Sequence, residues 1–301
     1  PDAVASQIQR RFPQYLGSAR TARRHLAEMQ SLGYLAVAPT RGVSPLWPKV
    51  YYVTGRGVRK LRDALAAKGR PWRAVRVDRR SWHSQEGYSA DHVLHEILLT
   101  EFLLAVWQTA AGRDDLELLK IERRSLARHP SFEVGIGGRR SRLIPDAMFL
   151  FHQQDRGMMC CYVEMDNGTM NRKQLSRKFQ RYDAWSRTPA GQDWLVNLYR
   201  HHGAQNPRPM FRVLVVARDR AGVDDERRLM EVQAAVLDCP SIAERTWLTT
   251  VTDLQSKQND RLPLDSPIWR MAQDTRSRSS IGNECEFPAA NLCLFKRVSV
   301  P

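Results

Sequence analysis

The residues best suited to chemistry are acidic and stand in two apolar segments, Ile144-Pro145-Asp146 and Tyr162-Val163-Glu164-Met165-Asp166. Side chains alternate along an extended strand, so Glu164 and Asp166 share a face. If the two segments are neighbouring strands of a hairpin, Asp146 joins them on that face. Carboxylates held so close repel one another unless one is protonated or a cation sits among them. A cluster of hard oxygens suits Mg²⁺, with water completing the shell. Such an ion lowers the pKa of an attacking water and stabilises charge that builds on a phosphodiester oxygen.

The flanking helices add two candidates. At 100° per residue, His92, Leu99, Leu103 and Trp107 fall within about 60° of Glu96, which places this acid in the middle of an apolar stripe. A carboxylate there is costly unless it is paired or near a metal. Glu101 points to the polar side. In the segment 171–185, Leu175, Lys178, Phe179 and Tyr182 share one face and Lys173 lies opposite, so Lys178 is the lysine held toward the sheet. Plainer readings stand beside these. A single Asp at a strand end is commonly a turn residue, two acids on one face are commonly solvated, and Asp166 could cap the turn through Asn167-Gly168.

These residues need a frame. A helix over 90–109 is followed by extended runs at 117–126, 142–151 and 158–166, a helix at 171–185, an apolar strand at 211–217, a helix at 225–237 and a strand at 247–251. That order is α/β. No internal repeat is visible, and from residue 256 the chain is polar and irregular.

The chain has 301 residues, enough for one large domain or two ordinary ones, and its 42% hydrophobic content excludes global disorder. No apolar run approaches the roughly 20 residues of a membrane helix. None of the cysteines forms a C-x-x-C pair, which argues against a zinc site and, with the odd count of 5, fits a reducing cytoplasm. Net charge is +15, and residues 1–80 carry 17 Lys and Arg against 4 Asp and Glu, whereas the remainder carries 30 against 28. A segregated positive field of this kind attracts a polyanion, and nucleic acid is the usual one.

The basic quarter reads as helix, turn, helix, ribbon, helix over residues 5–68. Ser18 is placed to cap a helix running to Leu32, with Ala22, Leu26, Met29 and Gly33 on one face and Arg20, Arg23 and Arg24 opposite. A recognition helix in a DNA major groove needs that division. Extended runs at 34–38 and 50–54 form a two-stranded wing whose tip carries Arg41 and Lys49, and Gly55-Arg56-Gly57 opens a helix over 58–67. Double-stranded DNA is the expected partner, with Arg20, Arg23, Arg24, Arg41, Lys49 and Arg56 as its contacts. The domain boundaries expected are 1–70 for this unit, 71–88 for a basic linker, 89–255 for the α/β domain and 256–301 for an irregular tail.

The pattern LGYL…KVYYVTGRGVRKL resembles the winged helix-turn-helix domains of bacterial DNA-binding proteins, most specifically at Tyr-Val-Thr-x-x-Gly. The α/β part resembles the PD-(D/E)xK restriction-endonuclease-like superfamily, whose order is αβββαβ. Pro145-Asp146 matches its first element and Glu164-Met165-Asp166 its second, although Asp166 stands where the superfamily usually has lysine. The resemblance implies a Mg²⁺ or Mn²⁺ site of Glu96, Asp146, Glu164 and Asp166, with Lys178 replacing the missing lysine. The whole layout, including DHVLHE, IPDAMF, VEMDNGT and KFQRYDAW, is similar to the replication-relaxation family and to MOB-C mobilisation relaxases of plasmids and integrative elements. That similarity implies a nickase or relaxase at an origin of transfer or replication, working with other mobilisation or replication proteins. The alternative is a catalytically inactive initiator, relaxosome component or repressor. A relaxase using a His-x-His metal site and a nucleophilic tyrosine does not fit, because the only histidine pair is the adjacent His201-His202, which on a strand would point apart.

Overall fold

The computed structural model describes residues 18–37, 51–69, 90–123, 126, 129–154, 156–256 and 269–272. The chain divides into two compact units, Pro1–Glu101 and Phe102–Pro301. Arg41, Lys49, the segment 7–12 and the basic linker at 71–88 lie outside the described residues.

In the first unit, helix α1 (Ala19–Ser31) starts where a cap is available: the Ser18 hydroxyl accepts from the Thr21 amide at 3.2 Å. It ends at Gly33, whose φ of 69° lets its amide return to the Gln30 carbonyl at 2.9 Å. Strands β1 (Leu35–Val37) and β2 (Tyr51–Val53) pair antiparallel, Leu35 opposite Val53. Helix α2 (Gly55–Ala67) follows at once. It begins three residues before the expected position 58 because Thr54 caps it. The Thr54 hydroxyl accepts from the Gly57 amide at 3.1 Å and donates to the Gly33 carbonyl at 2.6 Å. A Cβ on Gly57 would lie 2.2 Å from the Tyr34 carbonyl oxygen, so only glycine lets the helix approach the ribbon this closely. The Thr-x-x-Gly spacing thus has a steric cause.

Helix α3 (Ala90–Ala111) crosses the boundary between the units. It corrects an expectation: the stretch Asp91–Ala111 is long and apolar enough, by length and composition alone, to cross a membrane, and 56% of its most apolar 18-residue window is buried inside the protein. Glu96 is buried, as its position among apolar neighbours required, whereas Trp107 is exposed.

The second unit is built on a mixed sheet of order β10-β9-β8-β7-β6-β3. Strand β6 (Ala147–Gln153) pairs antiparallel with both β3 (Leu116–Arg123) and β7 (Gly157–Asp166), and β8 (Phe211–Ala217) and β9 (Thr246–Thr250) continue parallel to β7. The α/β class is as expected. The expected strand 142–151 divides, however. Arg139–Arg142 is β5, paired with β4 (Glu133–Ile136) in a separate hairpin, and β6 begins only at Ala147. Leu143 and Pro145 between them are buried, so hydrophobicity alone could not show the break.

Helices α4 (Arg172–Ser186), α5 (Pro189–His201), α6 (Asp225–Leu237), α7 (Pro240–Ala243) and α8 (Val251–Ser256) complete the described helices. Asn171 and Gln174 cap the start of α4 reciprocally. Leu175, Phe179, Tyr182 and Trp185 of α4 pack with Leu229, Val232 and Val236 of α6 on the sheet face that carries Met148, Leu150, Cys160 and Tyr162. Phe102 lies against Phe149 and Trp269, on the other face. The chain beyond residue 256 is not wholly irregular. Trp269 and Ala272 are buried, and β10 (Arg270–Met271) adds a strand beside β9.

Candidate functional site

The site grows from the carboxyl end of β7. Glu164 and Asp166 share the face covered by α4 and α6, as alternation requires, but each meets a different helix. Glu164 is only 2% exposed. One of its oxygens accepts a 2.6 Å hydrogen bond from the Tyr182 hydroxyl, and the other forms an ion pair with the Lys178 ammonium. Both partners come from α4, one turn apart, on the face that the helical spacing had assigned to Lys178.

Asp146 lies immediately before β6. Its amide donates to the Val163 carbonyl at 3.1 Å, and its Oδ2 accepts from the Met165 amide at 2.8 Å. The carboxylate is thereby fixed against the backbone of β7, next to Glu164. Lys178 Nζ stands 3.9 Å from the same Oδ2. Asp146, Glu164 and Lys178 therefore form one cluster, with Tyr182 holding Glu164 in place. Ile144, two residues earlier, is an exposed aliphatic side chain in an otherwise buried stretch.

Burial pushes the Glu164 carboxyl up to about 8; Lys178 pulls it back and the neighbouring Asp146 raises it further. Burial alone would lower the Lys178 ammonium, but Asp146 and then Glu164 hold its proton above the ordinary lysine range. Burial, reinforced by Glu164, also keeps the Tyr182 hydroxyl protonated and able to donate. The cluster thus keeps a positive ammonium between Asp146 and Glu164.

Asp166 takes a different part. Arg228 of α6 grips it with two hydrogen bonds, Nε to Oδ2 at 2.5 Å and Nη2 to Oδ1 at 2.9 Å. Nη2 also donates to the Met170 carbonyl at 2.7 Å, and Nη1 to Glu231 at 2.7 Å. Both Asp166 and Arg228 are buried. The expected metal-site role of Asp166 meets a competitor here, since its oxygens already neutralise a guanidinium. Arg228 was not singled out in the sequence; it lies 62 residues away on a polar stretch of α6, and only packing brings it to β7. Among the described residues, no group of three or more His, Cys, Asp or Glu side chains is placed to hold a metal ion. Glu96 belongs to the other compact unit.

Four of the six residues expected to contact DNA are among the described residues. Arg20, Arg23 and Arg24 are exposed on α1, while Ala22 between them is buried. Arg56 is exposed, with its guanidinium 5.6 Å from the centre of the Tyr34 ring. His201 and His202 are not on a strand; they end α5, with ring centres 5.1 Å apart.

The second unit is a mixed α/β domain with a carboxylate–lysine cluster at a strand end. Residues 3–195 match the replication-relaxation family model, and the chain belongs to the replication-relaxation family, with a role in replication or relaxation. No curated protein and no solved structure matches it.

Proposed function

We propose that this protein is a metal-dependent DNA endonuclease that nicks one strand at an origin of transfer or replication. In this reading the first unit is a winged helix-turn-helix that finds the site, and the second is a divergent PD-(D/E)xK domain of the kind found in MOB-C relaxases. The convergence of Asp146, Glu164 and Lys178 at the end of β7 carries the proposal. Two adjacent carboxylates fit Mg²⁺ or Mn²⁺, because Mg²⁺ is commonly held by one or two carboxylates with substrate phosphate oxygens and water supplying the rest. Asp146 and Glu164 would hold the ion. When bound, it supplies Lewis-acid stabilisation and a more acidic water.

The chain's own residues do the remaining work. The Lys178 ammonium, already paired with both carboxylates, is free to turn to the scissile phosphate once a cation relieves it, and there it offsets developing charge. Tyr182 fixes the Glu164 carboxyl. Arg228 keeps Asp166 out of the ligand set and ties down the loop leading into α4.

A second reading has its own support. The grip of Arg228 on Asp166 and the ion pair closing Lys178 onto Glu164 form a neutralised cluster, which suits a DNA-binding initiator, relaxosome component or repressor without cleavage. Incubation with supercoiled plasmid carrying the cognate origin, with and without Mn²⁺, separates the two. Glu164→Gln keeps the shape and removes the charge. The expected result is Mn²⁺-dependent nicking by the wild type and none by Glu164→Gln, with DNA affinity unchanged. No nicking by the wild type on its own origin supports the inactive binder.

A further inference from the structure

The modest excess of 30 Lys and Arg over 24 Asp and Glu in residues 102–301 includes a local concentration. The β4–β5 hairpin turns at Gly137 and Gly138, whose φ values of 55° and 75° are those of a two-residue hairpin turn that glycine enters without strain. Just beyond the turn are Arg139 and Arg140, both exposed and without an ion-pair partner among the described residues. Arg140 sits opposite Gly135, beside which there is open space. The base of the hairpin is anchored. Phe132, Val134 and Leu143 are buried in the core with Tyr182 and Trp185, and the Trp185 indole donates to the Ser131 carbonyl at 2.8 Å. Arg142, nearest the base, is paired with Glu133.

Strand β4 packs against α4. This helix carries Arg177 and Arg181 one turn apart, again without ion-pair partners among the described residues. Like charges at that spacing repel one another on a helix. Elsewhere in the unit Arg172, Arg187, Arg227 and Arg270 each have an acidic partner. Both basic elements also lead directly to the candidate site: Arg142 is four residues from Asp146, and Arg177 adjoins Lys178.

We infer that the β4–β5 hairpin and the Arg177–Arg181 edge of α4 form a second DNA-contacting surface, which holds backbone phosphates of a duplex beside the Asp146–Glu164–Lys178 cluster. The inference rests on the proposed reading of that cluster as a DNA-processing site. A rigid two-stranded ribbon with cations at its tip is able to follow a groove and pair with phosphate, and guanidinium groups suit phosphate geometry.

The test measures affinity of the full chain for a labelled, arbitrary-sequence duplex of roughly 30 base pairs as a function of NaCl, since each phosphate contact contributes about 0.9 to the slope. Arg139→Ala with Arg140→Ala, and Arg177→Ala with Arg181→Ala, are each expected to lower the slope by about 1 to 2. Lysine at the same positions is expected to restore it. In an Arg20→Ala, Arg23→Ala, Arg24→Ala background, salt-dependent binding should persist, and its slope should fall further, by about 2 to 4, when the four second-unit arginines are also replaced. Unchanged slope and affinity in the quadruple second-unit variant, with its melting transition intact, overturns the inference. The readout is binding, so a lost slope with no metal-dependent nicking rejects the nuclease reading alone, and nicking with an unchanged slope rejects this surface alone.

Discussion

Glu164 concentrates the chemistry of the cluster in one titration. Its folded carboxyl holds a proton up to about 8, against an ordinary value of 4.5. A group whose folded value is raised contributes stability that is fully present below its unfolded value and is lost as pH rises through its folded one. On its account the protein is expected to lose stability between pH about 4.5 and about 8, by an amount on the order of a few kcal/mol. Urea unfolding across that range should therefore show a downward trend for the wild type that is absent in Glu164→Gln. A parallel trend in both proteins would show that the proton is held elsewhere. Tyr182→Phe removes the 2.6 Å donor. It is expected to cost about 1 to 2 kcal/mol, the usual loss when a buried carboxyl oxygen is left without its partner.

At the scale of elements, α4 and α6 divide the two acids of β7 between them. Lys173 and Lys178 are five residues apart on α4, yet one is exposed and the other is inserted between Asp146 and Glu164. Lys178→Ala is expected to reduce nicking strongly and Lys173→Ala to leave it unchanged; equal effects would detach the helix from the site. The α6 contact is structural. Arg228→Met leaves the Asp166 carboxylate buried without its guanidinium, which is expected to destabilise the fold by about 3 to 5 kcal/mol. Adding Asp166→Asn should recover part of that loss, because no charge then remains buried and unpaired. If the double variant is no more stable than Arg228→Met alone, the pair is not what holds this loop.

For the molecule as a whole, the proposed function makes the distribution of charge the determinant of DNA affinity. The three exposed arginines of α1 are expected to contribute most of the initial binding. Replacing Arg20, Arg23 and Arg24 with Ala should lower the slope of log affinity against log salt by roughly 2 to 3. A triple variant with wild-type slope would remove α1 from the interface. The hairpin and α4 arginines act at a different place on the chain, so their effect on the slope should add to that of α1.

The patterning of apolar residues determined much of this architecture in advance. Alternation put Glu164 and Asp166 on one face of one strand. The 3.6-residue helical period put Lys178 toward the sheet and Lys173 away, and Ser18 marked a helix start through local cap chemistry, whereas the Thr54 cap went unread and the helix after it was placed three residues late. These are short-range effects, set by a residue and its neighbours within a turn or a strand. The break between β5 and β6 escaped that logic, because buried Leu143 and Pro145 continue the hydrophobic run across it. Strand β10 escaped as well, since two residues make no pattern until Trp269 enters the core. The fate of Asp166 was decided only by tertiary packing. Its choice between a cation, a turn and a guanidinium depended on Arg228, 62 residues along the chain. Nothing local distinguishes that arginine from its neighbour Arg227, because a buried ion pair is selected by what the assembled sheet and helices bring within reach.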